Sequence, residues 1–94
     1  GFELTSLYYD ESGQLRNGVV EEYDDDGQLD EKTTYKNGKK DGVEESYYQN
    51  GQLRKKGTYK DGKRIGSWEL YHRNGQLNEK ETYKDGEKIN TEYF

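Results

Sequence analysis

The sequence predicts an all-β protein, an elongated single-layer antiparallel β-meander of tandem 24-residue hairpin repeats. Three observations predict it. The chain matches itself when slid by 24 residues, and a fixed period of this size marks a repeat architecture. Strand-prone segments rich in Tyr, Val, Thr and Leu turn every 8–12 residues or so, the spacing of an all-β chain. Asn-Gly, Asp-Gly and related glycine turns punctuate the whole chain, and no segment of ten or more residues is free of them, which argues against helix.

The repeat sets the domain organisation. Gly18, Gly42 and Gly66 align, and Asn90 takes the same place. The Gly-Gln-Leu triplets align at Gly27, Gly51 and Gly75, which brings Leu29, Leu53 and Leu77 into register. Tyr23, Tyr47 and Tyr71 coincide, as do Tyr35, Tyr59 and Tyr83. These fifteen positions are the expected structural skeleton of one repeat domain over residues 1–94. It has a partial leading unit at 1–17, full units at 18–41, 42–65 and 66–89, and a partial unit at 90–94.

In chain order, residues 2–9 (FELTSLYY) read as a first strand, and ESGQLRNG after it as a loop akin to the later YKNGKKDG linker. Residues 19–24 form the second strand, DDDG the turn, and 28–35 the third strand, before the linker KNGKKDG. Residues 43–48 and 52–59 make the hairpin of the second unit, and 67–72 and 76–83 that of the third. A last strand is expected at 89–94, giving about eight strands. The turn residues have a physical reason. Tight hairpin turns that match strand twist need positive φ at both central residues, which Asn, Asp and Gly reach at least cost. Leu29 and Tyr35 are six apart, as are their equivalents, so strand parity places both on one face. Thr34, Thr58 and Thr82 and Lys32, Lys56 and Lys80 fall on the other, solvated face. Trp68, Leu70 and Phe94 are out of phase with the constant Tyr of their strands, which marks either a bulge or cover on the second face.

Composition leaves little for a packed core. Leu, Ile, Val and Phe together make up 14 of 94 residues, a share usual for disordered chains. Ten Tyr, six of them at fixed repeat positions, and a strict turn grammar oppose that reading, because Tyr buries its ring while leaving its hydroxyl wet. There is no cysteine, hence no disulfide and no thiolate metal site. No apolar run approaches a membrane span and no signal-peptide pattern is present. Gly1 in place of Met, and a stop inside a fourth unit, read as an excised segment or a processed product. The net charge of −5 is uneven: residues 1–47 hold 13 acids and 5 bases, residues 48–94 hold 7 and 10. The plain reading is a charged, solvated sheet face; the sharper one is a partner surface.

No reaction centre is legible. His72 is the only histidine and reads as a surface strand residue with no triad around it. The paired carboxylates Glu21-Glu22, Asp30-Glu31 and Glu44-Glu45 are adjacent in strands and therefore diverge to opposite faces. Asp24-Asp25-Asp26-Gly27 lacks the ligand spacing of a calcium loop and reads as an acidic turn. Gly38 to Gly42 is not a phosphate loop, since no Lys-Ser/Thr follows and no helix opens. The expectation is a non-enzyme with no cofactor, no metal and no small-molecule substrate. A basic stretch of Arg54, Lys55, Lys56, Lys60, Lys63, Arg64 and Arg73 admits anionic lipid, but the acidic whole argues against nucleic acid and membrane.

The pieces YYQNGQLRKKGTYKDGK and ELYHRNGQLNEKETYKDGEK resemble the MORN repeat variant, as found in bacterial YwqK-family antitoxins. The resemblance covers 18–89 in full. The first unit departs from it, with DDDG before the turn and Val20 where Trp68 stands in the third unit. It implies an elongated sheet of hairpins acting by protein–protein contact in the bacterial cytoplasm, and a role in neutralising a toxin. Three function classes follow. The first is an antitoxin or immunity-like inhibitor, with Glu21, Glu22, Asp24, Asp25, Asp26, Asp30 and Glu31 facing a basic partner beside Tyr47, Tyr48, Trp68 and Tyr71. The second is a spacer segment of a longer repeat protein. The third is lipid attachment through the basic half. An exposed edge at Tyr93-Phe94 also invites edge-to-edge self-association.

Overall fold

The computed structural model describes residues 6–94. Seven strands form one antiparallel sheet in strict sequence order, with no helix among the described residues. They are β1 (Gly18–Tyr23), β2 (Leu29–Lys36), β3 (Lys39–Tyr47), β4 (Leu53–Lys60), β5 (Lys63–Tyr71), β6 (Leu77–Lys84) and β7 (Glu87–Tyr93). The sheet is open and measures 41 × 38 × 17 Å, a single layer with side chains on both sides. The predicted meander of tandem hairpins is the observed fold.

Two kinds of turn alternate along the two rims. On one rim, Asn37-Gly38, Asp61-Gly62 and Asp85-Gly86 are two-residue turns with both residues at positive φ (51° and 80°, 50° and 85°, 51° and 85°), the geometry that strand twist demands. On the other rim the loops 24–28, 48–52 and 72–76 share one pattern. The N–H of Gly27 donates to Asp24 O (3.0 Å), that of Gly51 to Tyr48 O (2.9 Å) and that of Gly75 to His72 O (2.9 Å). A side chain completes each loop: Asp24 Oδ1 accepts from the N–H groups of Asp26 and Gln28, and Asn50 and Asn74 accept from Gln52 and Gln76.

The structure corrects the sequence reading at four places. First, the strand expected at 2–9 lies partly outside the described residues; within them residues 6–8 are irregular and Tyr9 makes only an isolated bridge to Leu15. Second, ESGQLRNG is not a linker but a further copy of the wide turn. Asp10 N–H donates to Gln14 O (2.8 Å), Gly13 N–H to Asp10 O (3.0 Å), and Asp10 Oδ1 caps Ser12 and Gln14. Third, KNGKKDG and its equivalents are not long loops. The strands resume directly after each two-residue turn, at Lys39, Lys63 and Glu87, because Lys39, Lys63 and Glu87 pair with Lys36, Lys60 and Lys84.

Fourth, strand parity fails at the wide-turn rim. One extra residue (Asp30, Arg54, Asn78) interrupts each register there, so Leu29, Leu53 and Leu77 pair with Tyr23, Tyr47 and Tyr71. Register partners share a face, so the leucines lie opposite the face of Tyr35, Tyr59 and Tyr83. A bulge residue shifts parity in this way.

Candidate functional site

The face that carries Trp68 holds every buried side chain described: Trp68 at 0% exposure, with Thr33, Glu44, Ser46 and Glu81. One row crosses all seven strands there: Val20, Thr33, Glu44, Gly57, Trp68, Glu81 and Thr91. Gly57 is extended, and a Cβ on it would stand 1.9 Å from Trp68 Cδ2. The indole therefore lies flat on bare backbone, and glycine is the residue that permits it. The repeat equivalents of Gly57 are Thr33 and Glu81, and those of Trp68 are Val20 and Glu44, so this glycine and this indole occur together. Trp68 is both the second-face cover and the neighbour of a register shift that the sequence left as alternatives; the shift falls between Leu70 and Tyr71.

Toward the tight-turn rim the same face carries alternating tyrosines and cations. Tyr35 pairs with Lys40, Tyr59 with Arg64 and Tyr83 with Lys88. Lys40, Arg64 and their repeat equivalent Arg16 also reach aromatic neighbours. Arg16 lies 5.1 Å from the Tyr8 ring centre, Lys40 5.0 Å from that of Tyr59, and Arg64 4.4 Å from Trp68 and 5.4 Å from Tyr83. Such contacts stabilise by about 0.5–1 kcal/mol where exposed. Sequence reasoning missed this ladder, although Arg16, Lys40, Arg64 and Lys88 recur every 24 residues.

The cations differ in their anions. Lys40 Nζ sits 2.9 Å from buried Glu44, and Lys88 Nζ 3.1 Å from Glu81. Around Arg64 the two equivalent positions are Trp68 and Gly57, and phenols replace the carboxylate: Nε donates to Tyr59 Oη (3.3 Å) and a terminal nitrogen to Tyr83 Oη (3.2 Å). Glu44 also accepts from Thr33 Oγ1 (3.1 Å) and stands beside Glu31. Burial alone would raise Glu44, but the Lys40 ammonium and the hydrogen bonds of Glu31 and Thr33 hold it below the usual carboxylate range. Burial, then the adjacent Glu44, raises Glu31. The result is a buried polar network that joins β2 to β3.

The opposite face carries one unbroken charge row. Glu21, Lys32, Glu45, Lys56, Glu69, Lys80 and Glu92 are successive register partners from β1 to β7. The sequence reading saw the lysines on a solvated face; the glutamates between them appear only with the register. Opposite charges in cross-strand neighbours stabilise by about 0.2–1 kcal/mol per pair. Tyr23 and Tyr47 lie on this face, their hydroxyls donating to Glu21 (3.0 Å) and Glu45 (3.1 Å).

The predicted partner-binding residues divide accordingly. Glu21, Glu22, Asp24, Asp25, Asp26, Asp30 and Glu31 all belong to the β1–β2 hairpin and its turn, at one corner of the sheet. Glu22 and Glu31 are direct register partners, and Asp30 is the exposed bulge residue. Tyr47 borders this corner, lining a hollow with Gln28, Leu29 and Asn50. Tyr71 repeats Tyr47 one hairpin further on, away from the acids. Tyr48 ties two wide turns together by donating to Tyr71 O (2.6 Å). Trp68 is a correction: fully buried, it offers no surface to a partner. His72 is exposed and opens a wide turn rather than sitting in a strand. Of the basic stretch, Lys55 and Arg64 flank Trp68 on one face while Lys56 lies in the charge row on the other. Among the described residues no three His, Cys, Asp or Glu side chains gather to hold a metal ion, and no helix is long and apolar enough to cross a membrane.

A one-layer sheet of stacked hairpins, with a conserved-by-position skeleton inside the chain and charged faces outside, defines a repeat module. Its family model matches residues 16–37, 40–61 and 64–85, and the chain belongs to the MORN repeat variant family. The three matches start 24 residues apart, at the ladder cations Arg16, Lys40 and Arg64. Repeats of this kind serve in general as binding modules. No curated protein and no solved structure was found to match the chain.

Proposed function

We propose that this chain is a non-catalytic protein-binding module of the antitoxin or immunity type, which covers a basic surface of a toxin or effector with the acidic corner of the β1–β2 hairpin. The observation that supports it is the gathering of seven acids on one hairpin, five of them exposed, beside the half-buried ring of Tyr47. Clustered like charge steers a complementary partner and speeds encounter. Tyr supplies contact area at low entropy cost. The test is an affinity capture from the native host with wild type beside Asp25→Lys, Asp26→Lys, Asp30→Lys. Asp24 is left intact because its carboxylate caps the turn. A single stoichiometric, basic partner lost by the triple variant supports the reading. A partner retained by that variant, or none for either bait while both stay folded, overturns it.

A second reading, a spacer within a longer repeat array, draws on β1 and β7, each bonded to one strand only among the described residues. It expects that appending a further 24-residue unit raises the melting temperature while no tight partner is captured.

A further inference from the structure

The charge row ends on glutamate at both sides of the sheet. Every interior member has opposite charge on both flanks: Glu45 lies between Lys32 and Lys56, and Glu69 between Lys56 and Lys80. Glu21 has Lys32 on one flank, and β1 has no hydrogen-bonded strand on its other side among the described residues. Beside it Glu22 faces Glu31, an acid opposite an acid. Val19 and Tyr23 of the same strand are 58% and 59% exposed. Among the described residues β1 is therefore an open hydrogen-bonding edge whose charge pattern is half complete.

We propose that the β1 edge accepts an added antiparallel strand from a protein partner, and that the strand it fits carries two adjacent basic residues, set opposite Glu22 and Glu21. The sheet itself supplies the template. Where β4 meets β5, Lys55 stands opposite Leu70 and Lys56 opposite Glu69, with Gly57 beyond them. A strand of the same kind laid against β1 places the two lysines opposite Glu22 and Glu21. It extends the alternation by one step and relieves the Glu22–Glu31 contact. Main-chain hydrogen bonds supply affinity in such additions, and side chains at fixed register supply selection. A second copy of this chain is the wrong occupant. β1 contains no cation, and β7 carries Glu92 at the matching place, so at the register of the sheet either edge sets glutamate against Glu21, which repels. The inference rests on the protein-binding reading above and names its mode of contact and the chemistry of the partner.

The probe is a synthetic peptide with the sequence of residues 53–60, LRKKGTYK, and a control with both lysines replaced by glutamate. Each is titrated at millimolar concentration into the isotope-labelled full chain and followed by backbone amide shifts and hydrogen exchange. The basic peptide is expected to shift and protect β1 amides selectively, with the acidic control about tenfold weaker. Glu21→Lys together with Glu22→Lys should invert that preference while leaving the β3–β6 amides unchanged. Equal effects of the two peptides, changes centred on β7 or on a sheet face, no change at all, or a concentration-dependent dimer through β1 would each overturn the proposal. The host capture separates the two readings: a basic partner lost by the turn variant, with no peptide effect at β1, removes the strand-addition mode and leaves the inhibitor reading standing.

Discussion

Alanine at position 57 is a small change with a large expected effect. A Cβ there would lie 1.9, 2.2 and 2.4 Å from Trp68 Cδ2, Cε2 and Cε3. Carbon atoms in contact stand about 3.5 Å apart, so the indole must retreat by roughly 1.5 Å. It has little room: Tyr59 meets it edge-on at 5.1 Å and Arg64 covers it at 4.4 Å. Overpacking of this kind costs about 1–3 kcal/mol, and full expulsion of the ring about 3–5. The loss of chain entropy in the unfolded state returns about 0.4–1 kcal/mol, since Gly57 takes no left-handed conformation. The balance is a destabilisation of about 2 kcal/mol, or a melting temperature lower by about 8–16 °C. Urea unfolding followed by fluorescence of the single tryptophan measures it directly. The decisive comparison is a Trp68→Val background, followed by far-UV circular dichroism, where Gly57→Ala should be neutral or stabilising by about 0.5 kcal/mol. Equal losses in both backgrounds, or a loss below about 0.5 kcal/mol in wild type, would refute the claim that the glycine exists for the indole.

Lys40→Met should cost about 2 kcal/mol in urea unfolding. It strands Glu44, 3% exposed, without its cation, and the figure is reduced because Lys40 is about a third exposed. Adding Glu44→Gln to it should recover part of that loss. Glu31→Gln should stabilise near neutral pH and not in acid. A carboxyl raised by burial and by Glu44 favours the fold while protonated, so its contribution is present below about 4.5 and is lost as pH climbs through the folded value. Glutamine removes that loss, for a gain of about 2–4 °C near pH 7. The gain should disappear near pH 3.5, as thermal melts at the two values will show. Glu44 works in the opposite sense: its depressed carboxyl contributes above about 4.5 and ceases to do so as pH falls through its folded value.

The period, the turns and the open meander were legible because each is local. Asn-Gly and Asp-Gly declare their φ values in two residues, and the 24-residue offset needs no three-dimensional information. What stayed hidden depends on neighbours across strands. Lys39 and Lys63 have weak strand preference of their own, and only pairing with Lys36 and Lys60 draws them into the sheet. The bulge residues Asp30, Arg54 and Asn78 look like ordinary strand positions, yet each turns its leucine to the other face. The acidic corner was readable as a run of like charge. The charge row was not, because Glu21 and Lys32 are eleven residues apart until the register joins them. Trp68 drew attention as an unusual residue, and its burial followed from a missing side chain on β4, which no count of its own neighbours in sequence reveals.

All the substantial strand contacts join sequence neighbours, and this makes the molecule behave as a row of tiles rather than as a globule. Its free energy is close to a sum of hairpin terms and junction terms, each felt only by the next tile. Melting can then start at an end and travel inward. Trp68 clamps β4 to β6 through Tyr59 and Tyr83, so the travelling boundary should stall there. The first hairpin, with acids on both strands and no indole beneath it, should peel away well before the centre gives up its amide protons.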